Sequence, residues 1–351
     1  MFVSRRPLAP VLLPCFLLSL LLSPALLGCS AADSLRPAEK PAVCDLFAMD
    51  TYMSLTAYGE GAEEALSAAK KEIRRLDDML STGLSGSEIS RLNQAGSAEI
   101  SPDTYALIRR SKDLYQETGG LFDITVYPLM KAWGFTDGDY RIPDAEERSK
   151  LMQLMGPDAI NLDEGHASFS KEGMQIDLGG IAKGYASERV IEILRQQGIR
   201  HAVINLGGNV CTLADKPDGS AWKIAIKDPE DPSGHLGVLE IRDQAVITSG
   251  SYERYFEKGG HSYHHIIDPA TGCPAESGLI SVTVISDDAT LADGLSTALF
   301  IMGREKGSDY WREHSGEFEA VFLEEDGTVY VTEGIADSFS CDRPTELIRR
   351  S

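Results

Sequence analysis

Three of the seven histidines in this 351-residue chain lie within five positions of one another. They are His261, His264 and His265, and Asp268 and Pro269 follow them closely. Because an imidazole titrates near neutral pH, the cluster suits metal ligands, a catalytic base or polar residues on a hairpin. If the segment is a strand, alternation sends His264 and His265 to opposite faces.

A carboxylate and a hydroxyl are spaced to share one helix face in the segment DDATLADGLSTALF. Asp293 and Thr297 are four positions apart, near the start of the predicted helix. Their oxygen atoms suit Mg²⁺, which takes few protein ligands and completes its coordination with water or phosphate. The alternative that stays open is a surface carboxylate beside a hydroxyl that faces the core.

Two glycine pairs follow predicted strands, where the backbone can approach a ligand closely. Gly179 and Gly180 lie in QIDLGGIAKGYASE, ahead of a predicted helix whose first N–H groups could face an anion. The second pair lies in NLGGNV, residues 205–210. Neither loop has Walker or dinucleotide-fingerprint spacing. A tight turn explains either loop alone, but together they favour a long ligand with a phosphate in its middle.

One more strand end, SGSYERYFEKGG, offers Ser249, Gly250, Tyr252 and Arg254 as substrate contacts or as parts of a plain hairpin.

The elements that must position these groups form runs of helices and runs of strands. Apolar residues at helical spacing predict a helix within 61–81: Ala62, Leu66, Ala69, Ile73, Leu76 and Leu80. Three more are predicted, one with Ser101 as N-cap and Pro102 in its first turn, one capped by Asp144 through Leu154, and one ending at Gly198. Seven β-branched segments between 201 and 332 predict strands. Because regular β-α-β alternation is absent from the pattern, it indicates an α+β fold.

The chain is acidic, with 54 Asp and Glu residues against 33 Lys and Arg and a net charge of −21. That balance argues against nucleic acid as a partner. A polyanionic ligand would need a metal ion or local backbone amides. Four cysteines of the predicted domain, Cys44, Cys211, Cys273 and Cys341, show no CxxC spacing, so buried free thiols are expected rather than a zinc site.

The first 28 residues have the pattern of a lipoprotein signal. Arg5 and Arg6 precede an almost wholly apolar stretch, and Gly28 precedes Cys29. The LLGC sequence resembles a lipobox in which Cys29 is acylated. An ordinary secretory signal or a membrane anchor are the alternatives, and four prolines argue against a long spanning helix. Removal of residues 1–28 would leave a net charge of −23. Residues 29–43 are predicted to be a polar tether, and residues 44–351 the folded domain.

Eight segments, in order, are similar to the ApbE family, the FAD:protein FMN transferases. They are MDTYMSL, LSTGLSGSEISRLN, GGLFDITVYPLMKAWGF, IDLGGIAKGYA, INLGGNV, ITSGSYERYF, HHIIDPATG and VTVISDDATLADGLSTALFIMG, and they extend over almost the whole predicted domain. The resemblance implies an α+β, T-fold-related architecture of mixed sheets with packed helices. It also implies an exported protein, here expected to be lipid-anchored on the periplasmic side of a bacterial membrane.

The resemblance further assigns roles to residues of this chain. FAD would be bound by Met49, Leu121, Phe122, Asp123, Asp177, Lys183 and Ile266. Mg²⁺ would be held by the Gly180 carbonyl, Asp293 and Thr297, and His265 matches the functional histidine. Two positions depart from the family pattern. Gly83 replaces an aromatic residue that stacks on the flavin in many members, and Ser296 replaces a further Asp ligand found in some.

The implied reaction cleaves the pyrophosphate of FAD, releases AMP and joins the FMN phosphate to a Ser or Thr hydroxyl of another protein. The acceptors would be exported redox proteins, subunits of Rnf-type complexes or of Na⁺-pumping quinone reductase. Mg²⁺ would neutralise the phosphates, and His265 would take the proton of the acceptor hydroxyl. His264 is then predicted to be structural and His261 to face solvent.

Two other functions are considered. The first is an FAD pyrophosphatase, in which water replaces the acceptor and which an open site at Gly83 would favour. The second is a flavin-binding lipoprotein without catalysis. Asp293, Thr297 and His265 argue against the second, since binding alone does not require them.

Overall fold

The computed structural model describes residues 40–231 and 233–351. The predicted signal peptide at 1–28, Cys29 and most of the predicted tether lie outside the described residues. Strand β1 spans Ala42–Ala48, so the last two residues of the predicted tether, 42 and 43, belong to the first strand. Within the described part of the chain, no helix is both long enough and apolar enough to cross a membrane.

The described residues form seven α-helices. They are α1 Ala62–Leu80, α2 Glu88–Ala95, α3 Pro102–Glu117, α4 Tyr127–Trp133, α5 Ala145–Met152, α6 Ala182–Gln196 and α7 Ala289–Glu313. All six apolar residues of the predicted α1 stripe are buried. Ser101 and Asp144 cap α3 and α5, as predicted, by accepting hydrogen bonds from first-turn N–H groups. Helix α7 is broken at Gly303, where φ is 76°.

Nineteen strands lie in the same part of the chain. Before α7 they are β1 Ala42–Ala48, β2 Thr51–Tyr58, β3 Ser97–Glu99, β4 Ile160–Asp163, β5 His166–Phe169, β6 His201–Leu206, β7 Asn209–Leu213, β8 Trp222–Lys227, β9 His235–Ile241, β10 Ala245–Gly250, β11 Tyr255–Lys258, β12 His261–His264, β13 Ile267–Asp268, β14 Cys273–Pro274 and β15 Leu279–Ser286. After α7 come β16 Glu319–Glu324, β17 Val329–Thr332, β18 Phe339–Ser340 and β19 Thr345–Ile348.

The largest sheet has nine strands in the order β1-β2-β6-β7-β10-β15-β16-β17-β19. Its neighbours pair antiparallel except β17 and β19, which are parallel. Two three-stranded sheets, β18-β9-β8 and β3-β5-β4, and two hairpins, β11-β12 and β13-β14, complete the set. Antiparallel sheets with helices packed against them, and no β-α-β series, make an α+β fold, which confirms the prediction.

The nine-stranded sheet is covered on both faces. Helices α1, α6 and α7 bury one face in a large apolar core that includes Leu66, Ile204 and Leu295. The β18-β9-β8 sheet packs on the opposite face through residues such as Trp222 and Ile285. Helices α6 and α7 pack against each other, and the Gly184 N–H near the start of α6 donates to Asp293 near the start of α7. The loops that precede the two helices therefore lie close together.

Candidate active site

One cleft of about 1050 Å³ collects the predicted site. Its lining includes every residue predicted for catalysis, FAD binding or Mg²⁺ binding: Met49, Leu121, Phe122, Asp123, Asp177, Gly180, Lys183, His265, Ile266, Asp293 and Thr297. The volume is at the upper end of the roughly 300–1,000 Å³ of small-molecule sites, so a dinucleotide is a suitable occupant. Their assembly on one cleft is a structural finding, and the role of each residue stays a prediction.

Asp293 is the fifth residue of α7, at the start of its second turn, and is 5% exposed. Its Oδ2 accepts a hydrogen bond from the Gly184 N–H at 2.8 Å, and its Oδ1 accepts one from Asn209 Nδ2 at 2.9 Å. Burial raises its carboxyl pKa, and the charge of Lys183 acts in the opposite direction. Each oxygen keeps a second lone pair, so the carboxylate is fixed in orientation while still able to bind a cation.

Thr297 lies one turn after Asp293, on the same face of α7. Its Oγ1 is 3.4 Å from Ser249 Oγ, at the end of β10. A Cβ atom placed on Gly180 would lie 4.0 Å from Thr297 Oγ1 and 3.2 Å from Phe122 Cε2, so the backbone of Gly180 passes beside both. Asp293, Thr297 and Gly180 thus line the same cleft, and their carboxylate, hydroxyl and carbonyl oxygens are a donor set that fits Mg²⁺.

Ser296, the position at which some family members carry a further Asp, faces the interior. Its Oγ lies 2.7 Å from Ser249 Oγ and donates to the Asp293 carbonyl at 2.8 Å. The hydroxyl is thus engaged by the protein. Within the described residues, no group of three or more His, Cys, Asp or Glu side chains is arranged to hold a metal ion.

The charge of the cleft wall is mixed. Three basic side chains line it, Lys183, Lys227 and Arg254, together with six carboxylates: Asp50, Asp77, Asp123, Asp177, Glu253 and Asp293. A pyrophosphate would meet more negative than positive charge in such a cleft. A divalent cation on the Asp293 side would therefore improve the binding of a polyphosphate.

His265 follows the end of β12 and lies in a bend. Its Nδ1 is 3.3 Å from the Arg254 carbonyl oxygen, which can only accept, so Nδ1 carries the proton and Nε2 keeps a free lone pair. Its pKa is lowered to about 3 by desolvation first, and then by the positive charge of Arg254. At neutral pH the ring is uncharged, which is the form that a general base requires.

His264 is buried and, unlike His265, does not line the cleft. Its Nε2 lies 3.0 Å from the Ala275 carbonyl oxygen, and its ring meets Phe300 edge-on. His261 is exposed at the start of β12. Strand alternation predicts that His264 and His265 lie on opposite faces. Because β12 ends at His264, the bend at His265 also contributes to their different environments.

Two further carboxyl groups lie on the wall near Phe122. Asp123 accepts hydrogen bonds from the Thr125 N–H at 2.7 Å and from Thr125 Oγ1 at 2.6 Å. Asp177 accepts one from the Gly179 N–H at 3.0 Å. Desolvation is the first cause of a raised pKa at both carboxyl groups. Their partners are local backbone and hydroxyl donors, so both keep acceptor capacity toward the cleft.

The start of α6 corrects one interpretation of the sequence. The glycine pair Gly179 and Gly180 indicates that the first amides of α6 are available to a phosphate. In the structure the Ala182 N–H donates to the Leu178 carbonyl, and the Gly184 N–H donates to Asp293. A carboxylate of the protein itself thus takes the place that an anion would occupy.

The structure also adds residues that the sequence pattern did not single out for their roles. Asn209 belongs to the glycine loop NLGGNV, and its side chain donates a hydrogen bond to Asp293. Gly184 permits close packing, since a Cβ there would lie 2.2 Å from the Ala289 carbonyl oxygen. A glycine inside a helical pattern is a signal for such packing. No local signal identifies Asn209, because its partner is 84 positions away.

Residues 49–322 match the model of the ApbE family. The chain belongs to this family. An FAD:protein FMN transferase from Klebsiella pneumoniae is 37% identical over 268 residues, which cover 74% of this chain and 83% of the relative. One from Treponema pallidum is 32% identical over 310 residues, covering 82% and 85%.

Solved ApbE structures are similar to the described fold. The ApbE protein from Thermotoga maritima has a TM-score of 0.79 and 31% identity, covering 85% of this chain and 99% of that one. The apo flavinyl transferase ApbE from Pseudomonas stutzeri has a TM-score of 0.77 and 29% identity, covering 86% and 97%. The predicted family and fold are both confirmed.

Proposed function

We propose that this protein is a Mg²⁺-dependent FAD:protein FMN transferase. The observation that carries the proposal is that a set of oxygen donors and a neutral histidine line the same cleft. The oxygen donors Asp293, Thr297 and Gly180 lie on its lining, and so does His265 with its neutral ring. Relatives that are named FAD:protein FMN transferases support the same conclusion.

The residues of the cleft suit each part of the transfer. A Ser or Thr hydroxyl of the acceptor attacks the FMN phosphorus, the P–O bond to the AMP phosphate breaks, and AMP leaves. His265 Nε2 takes the hydroxyl proton, and Lys183 and Arg254 supply positive charge near the phosphates. Asp293, Thr297 and the Gly180 carbonyl would hold Mg²⁺, whose charge offsets that of the two phosphates when it is bound.

A single incubation tests the proposal. The purified chain is mixed with FAD, Mg²⁺ and the flavin-free form of a subunit of an Rnf-type complex or of Na⁺-pumping quinone reductase. The mass of this acceptor is then measured by mass spectrometry. We expect one FMN phosphodiester on a Ser or Thr residue and an equal amount of AMP. Addition of EDTA should stop both. An unmodified acceptor with every subunit tried, or full activity in EDTA, would contradict the proposal.

An FAD pyrophosphatase is the second candidate, and the loop between α1 and α2 favours it. Gly83 lines the cleft, and a Cβ there would meet only Ser81 Oγ, at 3.8 Å. The position that an aromatic ring fills in many relatives is thus open to water. Free FMN that accumulates as fast with acceptor as without it would identify this activity.

The same proposal includes the location of the enzyme. Acylation at Cys29 would anchor it to the periplasmic side of a bacterial membrane, where exported redox proteins are found. In cells fed a palmitate analogue, the wild type should be labelled and Cys29→Ala should not. A wild type that is never labelled would remove the lipid anchor and leave the proposed chemistry intact.

A further inference from the structure

Helices α6 and α7 are joined by reciprocal hydrogen bonds at their N-termini. Asp293 of α7 accepts from the Gly184 N–H of α6 at 2.8 Å. In the other direction, Glu188 Oε1 of α6 accepts from the Thr290 N–H of α7 at 2.9 Å. Each carboxylate satisfies a first-turn amide that has no partner within its own helix.

Neither helix satisfies these amides by itself. The N-cap residue of α6 is Ile181, whose side chain makes no capping hydrogen bond. The N-cap of α7 is Asp288, and its side chain accepts from the Leu291 N–H, which leaves the Thr290 N–H to Glu188. The two helix starts therefore depend on each other.

The contact between the helices is close at the same place. A Cβ added to Gly184 would lie 2.2 Å from the Ala289 carbonyl oxygen and 2.7 Å from Asp293 Cβ. Backbone meets backbone here, so a shift of one helix start along the other would break the Gly184–Asp293 hydrogen bond. The position of Asp293 in the cleft is thus linked to how α7 begins.

Glu188 itself does not line the cleft. It borders a separate cavity of about 100 Å³, together with Cys211 and Arg195. Desolvation raises the carboxyl pKa of Glu188 to about 7, the Thr290 N–H opposes that shift, and Asp288 adds to it. The carboxyl group is held in the helix interface, out of reach of a ligand in the cleft.

We propose that Glu188 is a positioning residue for the predicted Mg²⁺ site. By bonding the start of α7 to α6, it fixes Asp293 and Thr297 relative to Lys183 and Gly180. This inference rests on the proposed function for its kinetic consequence, because the metal donors are assigned there. The structural coupling between the two helix starts does not depend on the proposed function, because it can be measured without turnover.

The test compares Glu188→Ala, Glu188→Gln and Glu192→Ala. Glu192 is the matched control, since it lies one turn further along α6 and is 49% exposed. We expect Glu188→Ala to raise the Mg²⁺ concentration for half-maximal AMP release by about tenfold, while the KM for FAD changes by less than about twofold. Glu188→Gln should restore most of the Mg²⁺ affinity, because its amide oxygen can still accept from Thr290. Glu192→Ala should match the wild type.

Amide hydrogen exchange supplies the readout that needs no activity. In Glu188→Ala, exchange should accelerate at Thr290 and also at Gly184, which the substitution does not touch. Acceleration at Thr290 alone would overturn the coupling, as would an Mg²⁺ requirement equal to that of Glu192→Ala. If Glu188→Ala does not fold, Glu188→Asp takes its place, because its shorter side chain withdraws the carboxylate. A wild type that releases no AMP would overturn the proposed function, and the exchange data would still decide the coupling.

Discussion

The two walls of the cleft that carry the predicted chemistry are built differently. The helix wall consists of α6 and the start of α7, where Asp293 has both oxygens bonded and is 5% exposed. The hairpin wall consists of Arg254 and His265, whose backbones are hydrogen-bonded to each other at the base of the β11-β12 hairpin. No third strand pairs with this hairpin in the described part of the chain, and Tyr255 is 48% exposed. A site for a small ion needs fixed donors, whereas a base that meets a second protein needs access. The two walls match those two requirements.

The largest effect is expected on the helix wall, from Asp293→Ala. The substitution removes a predicted Mg²⁺ ligand and the acceptor of the Gly184 N–H, so turnover should fall below detection while FAD binding persists. Asp293→Asn separates the two losses, because an amide oxygen can still accept from Gly184 but carries no charge. AMP release and flavin fluorescence quenching would measure turnover and binding. Substantial AMP release by Asp293→Asn would remove this carboxylate from the metal site.

On the hairpin wall, His265→Asn should reduce FMN transfer by about 10²–10⁴-fold, the usual loss for a general base. The asparagine side chain cannot take a proton from the acceptor hydroxyl, while its size stays similar. The rate is measured as FMN bound to acceptor per unit time at saturating FAD. Transfer within about tenfold of the wild type would show that another group serves as the base.

The same histidine makes a prediction about pH. Its pKa is lowered from 6.5 to about 3, so the folded protein keeps the ring neutral where a solvated imidazole would be charged. Transfer should therefore show no half-maximal loss near pH 6.5. The unfolded chain binds a proton below pH 6.5 that the folded chain does not, so stability should decline as pH falls from 6.5 towards 3. Thermal unfolding of wild type and His265→Asn across this range would show a smaller decline in the variant.

Much of the fold followed from local patterns. Caps at Ser101 and Asp144 and the apolar stripe of α1 depend on residues a few positions apart, so they are visible in the sequence. The hairpin β1-β2 and helix α2 were not predicted as elements. The order of the nine-stranded sheet could not be predicted either, because pairs such as β2 and β6 join residues about 150 positions apart.

The site shows the same distinction between local features, which the sequence predicts, and long-range contacts, which it does not. The spacing of Asp293 and Thr297 indicated a shared helix face, and the resemblance carried by the eight segments assigned the other predicted site residues. Sequence could not show that Asn209 and Gly184 bond to Asp293, or that Glu188 bonds to Thr290, because these contacts span 84 to 109 positions. It also suggested free amides at the start of α6, which Asp293 occupies. The orientation of the predicted site residues therefore depends on long-range hydrogen bonds that the sequence does not reveal.

A smaller effect is expected from His264→Ala, beside the predicted base. The buried ring lies within hydrogen-bonding distance of the Ala275 carbonyl and packs on Phe300, so its loss should lower the free energy of unfolding by about 1–3 kcal/mol. Transfer by the folded fraction should change by less than about threefold, since the ring does not face the cleft. Chemical denaturation and transfer assays on the same preparation measure both. Inactivation by His264→Ala, with His265→Asn still active, would reverse the assignment of the two histidines.

The smallest effect concerns the rim formed by the β1-β2 turn, which belongs to neither wall. Met49 and Asp50 have φ values of 47° and 57°, the left-handed region that a two-residue hairpin turn requires and that glycine adopts most easily. Asp50→Gly relieves backbone strain of about 1 kcal/mol, and the added freedom of the unfolded chain cancels part of that gain. We expect a net stabilisation of about 0.5 kcal/mol, with transfer within about twofold of the wild type.

Asp50→Asn is the control, since it removes the charge from the cleft and keeps a side chain that tolerates this conformation. If denaturant titration shows Asp50→Gly to be less stable than Asp50→Asn, the turn is not strained, and its side chain must stabilise this rim of the cleft.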